Sequence, residues 1–287
     1  MLLHDVFGRE DLLAGLPRIR RRVVAWGRDF RPRTLPHSSV VISEQELLDR
    51  IHQGLEQNNC PPTERPDWTI LASTPLPPSS LEHHFGSRMA TASPAKLKPQ
   101  CDSESCWIES LENGWLFLLP IGNGVGWLLS VGDSVESLLG TSRLIEQQIA
   151  KLGQSHGTFP SHPRISWPLS EPGWLACGTA AVGFDPLCGE GTGNAIREAI
   201  LAAAVVRAAT EGADVANLVA QYRARLLAGF QTHVALCLEF YMSGRSGGWW
   251  EDQVNELKRG LAWCSRQSAD TGTFRDRLNG SRLEAAS

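Results

Sequence analysis

With 287 residues, 42% of them hydrophobic and 20% charged, the chain is long enough to bury a core in one large or two smaller domains. A net charge of −4 removes the electrostatic case for a nucleic-acid partner, and no uncharged apolar run is long enough for a membrane span. Seven cysteines, odd in number, scattered and without a CxxC pair, follow an acidic start (MLLHDVFGRE) that is no secretory signal. They read as reduced thiols of a cytoplasmic protein.

Residues 1–17 read as a short helical turn broken at Gly15 and Pro17. The run RIRRRVVAW (18–26) is a basic segment leading into a strand; its arginines could meet phosphate groups or form a solvated edge. Residues 27–37 read as a loop and 39–42 as a short β-branched strand. Ser43 with Glu46 is a capping box, and the helix it starts runs to about Glu56 with Leu47, Leu48, Ile51 and Leu55 on one side. After a turn at 60–66, WTILA (68–72) reads as a buried strand. His83 and His84 are candidate polar groups for chemistry, or an ordinary surface pair. Residues 89–105 read as polar and irregular.

The clearest β region is 106–131, with strands at 106–111, 115–119 and 125–131 and turns at Glu112-Asn113-Gly114 and Gly122-Asn123-Gly124. Trp115, Phe117 and Leu119 share one face, which is either plain core or the wall of a cavity. A helix of about ten residues is expected from Thr141 to Gly153, then a loop and a strand at 164–167. Farther on, Asp214 caps a very long helix with an apolar stripe at Val215, Leu218, Tyr222, Leu226, Phe230, Val234, Cys237 and Tyr241. Gly244 to Gly248 breaks it, Trp249-Trp250 opens a last helix to about Trp263, and the tail from Ser265 is polar and frayed.

The stretch that organises the rest is 174–208, WLACGTAAVGFDPLCGEGTGNAIREAILAAAVVRA. It reads as a short strand, a tight turn at Gly178, a loop through Asp185-Pro186, glycines at 189, 191 and 193, and a helix so apolar over 199–206 that both its sides should be buried. Such a loop aims unpaired N–H groups and a positive dipole end at whatever sits before it. A dinucleotide GxGxxG fails, because Asn194 holds the third glycine position, and a phosphate loop fails for want of lysine.

The string resembles the second flavin motif, GDAAxxxDPxxGxG, of the FAD-dependent monooxygenases with the aromatic-hydroxylase fold. The match is Gly178, Ala180, Ala181, Asp185, Pro186, Gly189 and Gly191, and the branch it most resembles holds the tryptophan halogenases and the flavoproteins that modify tryptophan. The segment LEHHFGSR (81–88) is similar to that family's short helix ending in LGxR, and 115–120 is similar to its WxWxIP string. The resemblance implies an α/β fold: a three-layer FAD-binding domain, an antiparallel β substrate domain and C-terminal helices. The implied division is 1–72 and 164–212 for the flavin part, 73–163 for the substrate sheet and 213–287 for the helical region. It implies FAD as cofactor, held by Gly178, Thr179, Asp185, Pro186, Gly189, Gly191, Thr192 and Gly193, with backbone N–H groups near Thr192 and Gly193 stabilising charge on the reduced ring. It implies NAD(P)H or a flavin reductase as reductant, and a small-molecule or peptide aromatic substrate with Trp115 and Phe117 on its side.

Three departures stand out. Thr179 replaces an aspartate, nothing before residue 178 is the family's strand–GxGxxG–helix unit, and no lysine matches the halogenases' catalytic one. The chain thus reads as a member lacking its first βαβ unit: either an FAD-dependent monooxygenase or a catalytically inactive binding or assembly subunit.

Overall fold

A computed structural model describes residues 2–53, 66–189, 191–270, 276–279 and 282–285. The chain is mixed α/β and divides into two compact units. One comprises Met1–Asn59, Arg88–Pro160 and Phe240–Val254; the other comprises Cys60–Ser87, Ser161–Glu239 and Asn255–Ser287.

The first unit is built on an 8-stranded mixed sheet. Its centre is the expected meander, Ser105–Leu111, Gly114–Gly122 and Val125–Gly132, paired antiparallel with Trp107 opposite Leu118 and Phe117 opposite Leu129. The second turn is tight because Asn123 (φ 53) and Gly124 (φ 70) both take left-handed backbone, the geometry a two-residue hairpin needs. At Gly114 a side chain is impossible: an added Cβ would lie 2.1 Å from the Val131 carbonyl oxygen.

Two elements extend this sheet where the sequence suggests irregular chain. Met89–Leu97 is a strand between Val125–Gly132 on one side and Ile149–Leu152 and Gly157–Pro160 on the other. Its polar, alanine-rich composition hides it, since the ladder comes from its neighbours and its buried positions other than Leu97 are small (Ala90, Ser93, Ala95). Arg33–Val40 is likewise a strand, pairing Arg18–Ala25, which itself runs parallel to Ser105–Leu111.

The helix expected from Thr141 is displaced. It is Val135–Thr141, capped by Ser134, whose hydroxyl accepts from the Ser137 N–H. The following turn is shaped by buried Glu109, whose carboxylate accepts from Ser142 Oγ and from the N–H groups of Arg143, Leu144 and Ile145.

The two sheet faces pack differently. Leu116, Leu118, Leu128 and Trp107 face Val135, Leu138 and Ile145. The alternate face carries Trp115, whose indole N–H donates to Tyr241 Oη at 3.1 Å, and Trp250, whose N–H donates to the Leu111 carbonyl at 3.0 Å. Arg88 lies 4.5 Å over the Tyr241 ring and donates to Gln253, so its buried charge is satisfied on both counts.

Half of the capping box at Ser43 is present: its hydroxyl accepts from the Glu46 N–H, while the Glu46 carboxylate accepts from Arg50 at 2.8 Å, and the helix is Glu44–His52. The expected continuation to Glu56, Leu55 included, and most of the turn 60–66 lie outside the described residues.

The second unit holds two small sheets and the long helices. Thr69–Leu71 runs parallel to Trp174–Ala176, which pairs Ser170–Glu171. Thr69 and Ile70 are exposed, so this strand is not the buried one its apolar letters suggest. Leu81–His84 is a strand and not a short helix. It pairs antiparallel with Arg164–Trp167, which also pairs Val182–Gly183. The ladder and the Arg164–Glu82 ion pair at 2.7 Å override its local propensity.

The apolar stripe of helix Val215–Met242 is buried as expected from Leu218 onward, and Tyr222 donates to the Ala176 carbonyl at 2.6 Å. The last helix, Gly248–Asp270, runs past its expected end at Trp263. Gly260 of that helix lets Phe85 approach; an added Cβ would meet its ring at 2.9 Å. In the tail read as frayed, Asp276–Asn279 and Arg282–Ala285 pair antiparallel.

Candidate functional site

The flavin-like motif forms one continuous structure in the second unit. Trp174–Ala176 ends in extended Cys177, and Gly178 (φ 56) turns the chain into the short helix Gly178–Ala181. Val182–Gly183 follows, then Asp185 caps the turn Pro186–Cys188, with its carboxylate accepting from the Leu187 N–H at 2.9 Å. Proline at the first position of that turn loses no hydrogen bond. Gly189 (φ 67) closes the turn in left-handed backbone, and the helix Gly191–Thr210 begins two residues later.

The helix start is open. Among the described residues, an added Cβ at Gly189 or Gly191 would meet nothing within 4 Å, and at Gly193 only the Arg197 guanidinium tip at 3.4 Å. Gly191 and Thr192 are exposed, and the first turn holds no acidic side chain. The free N–H groups and dipole of a helix N-terminus therefore meet no negative charge from that turn. Farther along, the helix is buried on one side only: Leu201, Ala202, Ala204 and Val205 are covered, whereas Ala199 and Ala203 are exposed. Alanine carries too little apolar area to demand burial, so the helical period decides which faces are covered.

Several ties hold the motif. The Gly178 N–H donates to Glu198 Oε2 at 2.7 Å, Arg164 donates to the Thr179 carbonyl at 2.7 Å, and Ser166 donates to the Ala180 carbonyl at 2.9 Å. The Thr179 hydroxyl donates to the Ala72 carbonyl at 3.3 Å, joining the motif to the residue after strand Thr69–Leu71. The Asp185 N–H donates to His233 Nε2 at 2.9 Å. Burial pushes the Glu198 carboxyl up to about 7, against the smaller downward pull of the Gly178 N–H. Burial also raises the Cys177 thiol, with Glu198 adding to it. The Cys188 thiol is lowered, chiefly by its contact with Cys237 and then, against burial, by His233.

The residues expected around a flavin thus lie together, from Gly178 and Thr179 through Asp185, Pro186 and Gly189 to Gly191, Thr192 and Gly193. Trp115 and Phe117 lie in the other unit. Trp115 is 1% exposed with its N–H spent on Tyr241, which makes it a core residue, while Phe117 is half-buried. His83 packs on Trp263 with ring centroids 4.8 Å apart, and His84 hydrogen-bonds His162 at 2.9 Å. In the arginine run, Arg20 pairs with Glu104 at 3.0 Å and Arg21 with Asp102 at 2.7 Å, a solvated edge more than a phosphate site.

Sequence reasoning missed Glu198, Arg164 and His233. The available signal was a lone acid within an alanine-rich helix and a lone histidine on an apolar stripe, since such groups are buried only with partners.

No protein-family model matches this sequence, and no curated protein does. Solved structures match its fold. A myxobacterial chondrochloren halogenase, a variant of FAD-dependent halogenases, aligns at TM-score 0.68 and 14% identity over 90% of this chain and 76% of its own. CmlS, a flavin-dependent halogenase, aligns at 0.68 and 17% over 97% of this chain and 65% of its own. A peptidyl tryptophan dihydroxylase essential for tryptophylquinone cofactor biogenesis aligns at 0.65 and 14% over 96% and 73%. The chain therefore has the fold of the FAD-dependent halogenases and related flavin hydroxylases, and identities this low establish the fold alone. Among the described residues, the open space at Gly189 and Gly191 leaves room for the electron-rich edge of a flavin ring. Among the described residues no helix is long and apolar enough to cross a membrane.

Proposed function

We propose that the chain is an FAD-dependent oxidoreductase of the monooxygenase type acting on an aromatic, tryptophan-like substrate, either a small molecule or a peptide. The observation that carries the proposal is the unobstructed, glycine-lined N-terminus of helix Gly191–Thr210, set behind the Asp185-Pro186 turn in a flavoenzyme fold. Gly189, Gly191 and Gly193 let backbone come within hydrogen-bonding reach of a ring, and the N–H groups near Thr192 and Gly193 favour negative charge on its edge by about 0.3–2 kcal/mol. Asp185 fixes the turn, Gly178 fixes the strand end, and Thr179 stands where a polar side chain would meet the ribityl chain. The flavin, reduced by NAD(P)H or a flavin reductase, supplies the activation of molecular oxygen; the protein supplies position and electrostatics. That one similar fold belongs to an enzyme acting on peptidyl tryptophan supports the substrate class.

The test is Gly191→Val with flavin titration followed by fluorescence. Gly191 has no positive φ and open space beside it, so valine leaves the free protein's melting temperature nearly unchanged. Flavin affinity falls at least about tenfold, or 1.4 kcal/mol. Unchanged affinity would reject the site.

A non-catalytic binding or assembly role is the second reading. It is supported by Thr179, which offers no carboxylate and whose hydroxyl is engaged by Ala72. Flavin binding with no product from any aromatic substrate under reducing, aerobic conditions would favour it.

A further inference from the structure

We propose that Cys188, His233 and Cys237 form a structural metal site of the zinc class, two thiolates and one imidazole, which fastens the turn Pro186–Cys188 to the helix Val215–Met242. The site stands on its own residues and does not depend on the flavin reading.

His233 and Cys237 are four residues apart on one helix, which places them on one face a single turn apart, and both are buried. Cys188 ends the capped turn and is partly exposed. Its Sγ lies 3.5 Å from Cys237 Sγ, which lies 3.3 Å from His233 Nε2, and the three ligand atoms all fall within 4.8 Å of one another. A disulfide would need its sulfurs about 2.05 Å apart. A tetrahedral zinc ion, with sulfur at about 2.3 Å and nitrogen at about 2.0–2.1 Å, spaces such ligands roughly 3.5–3.8 Å apart. The observed separations are those of ligands around an ion more than those of a bonded pair.

Because the Asp185 N–H donates to Nε2 at 2.9 Å, Nε2 carries the lone pair and the proton sits on Nδ1; an ion would take that lone pair in place of the Asp185 N–H. Two thiolates and a neutral imidazole balance the charge of a divalent ion, which allows burial, and binding releases the two thiol protons. Thiolate and imidazole select zinc over magnesium, calcium or manganese. The partly exposed Cys188 side is where the ion would enter and a water would complete its shell.

The experiment uses the full chain, reduced and stripped of metal, titrated with Co²⁺ alone and then with Zn²⁺. The expected result is one equivalent of Co²⁺ with an intense near-ultraviolet sulfur-to-cobalt band, bleached by one equivalent of Zn²⁺. Cys188→Ser, at a partly exposed position and checked for folding by circular dichroism, should weaken Co²⁺ by more than the roughly 10–100-fold that losing an outer partner of a ligand costs. Cys101→Ser, in the first unit, should leave the titration unchanged. Absence of the band in the wild type, or its persistence in Cys188→Ser, overturns the proposal. So does a protein that, prepared without reductant, titrates two fewer thiols than its seven and binds no Co²⁺ once reduced, which would make the cysteines a redox pair.

Discussion

Glu198→Gln should stabilise the protein at pH 8 and leave it unchanged near pH 4. The carboxyl of Glu198 is raised from 4.5 to about 7, chiefly by burial, and accepts from the Gly178 N–H at 2.7 Å. The folded chain therefore holds a proton that the unfolded chain releases at lower pH. Stability from this group is full below the unfolded value of 4.5, falls as pH rises towards 7, and stays low above that. Each pH unit between those two values is worth about 1.36 kcal/mol, so the loss by pH 8 is on the order of 3 kcal/mol. Glutamine keeps a carbonyl for the Gly178 N–H and removes the titration, so the variant escapes that loss. For a chain of this size the difference corresponds to a melting-temperature gain on the order of 6–12 °C at pH 8. The assay is thermal unfolding of both proteins from pH 4 to pH 8, followed by circular dichroism. Parallel curves across the range would refute the reasoning, because they would mean that burial does not hold the proton on Glu198.

Riboflavin, FMN and FAD should bind with affinities within about tenfold of one another, since among the described residues the open glycine start at 189–193 offers a cradle only to the ring end; equilibrium titration of the three measures it. Trp115→Ala should cost about 3–5 kcal/mol in urea unfolding, because it empties a position 1% exposed, whereas a substrate-facing tryptophan would cost far less. Tyr241→Phe should cost about 1–3 kcal/mol by leaving the buried Trp115 N–H without its acceptor, again read from urea midpoints. Gly114→Ala should prevent folding of the first unit, seen as loss of near-ultraviolet tryptophan dichroism, because its Cβ would overlap the Val131 carbonyl.

What the sequence made legible were the features with local causes. The meander 106–131 announced itself through Asn-Gly turns whose backbone only a few residues adopt, and the Glu44–His52 helix through a capping box whose hydrogen bond is present. The Asp185-Pro186 turn and the glycines after it were readable for the same reason. What escaped were features created by distant partners. Met89–Leu97 is a strand because ladders flank it on both sides, although its residues are small and polar and include Pro94. Leu81–His84 is extended because Arg164–Trp167 is. The helix lies at 135–141 and not from Thr141, because Ser134 caps it and buried Glu109, far away in sequence, orders the N–H groups after it. Glu198 reveals nothing as a letter; its raised pKa exists only because the motif and its own helix bury it.

The motif is tied by side chains from Gly178 to Asp185, and its glycine end is left untied. Glu198 takes the N–H at Gly178 and His233 takes the N–H at Asp185, both from helices that also supply buried core. Among the described residues from Gly189 to Gly193 there is no such tie, and no side chain fills the space beside Gly189 and Gly191. Backbone fixed up to the Asp185 turn and bare at the glycines that follow suits a ligand with oxygen-rich edges, since its binding then costs little reordering of the loop. Thr179 belongs to the fixed part: its hydroxyl and carbonyl are both engaged, by Ala72 and Arg164, so it acts first as a joint between strand and motif. The carboxylate that the resembling flavoenzymes place at that position has no counterpart at Thr179, and the nearest acid along the motif's own helix, Glu198, is turned to Gly178 and kept protonated by burial up to about pH 7. A flavin held here would therefore rest on backbone N–H groups and helix dipole more than on any charged side chain. Its affinity should respond to glycine substitutions at 189–193 and fall modestly as salt is raised, because the dipole of an exposed helix start is screened by salt.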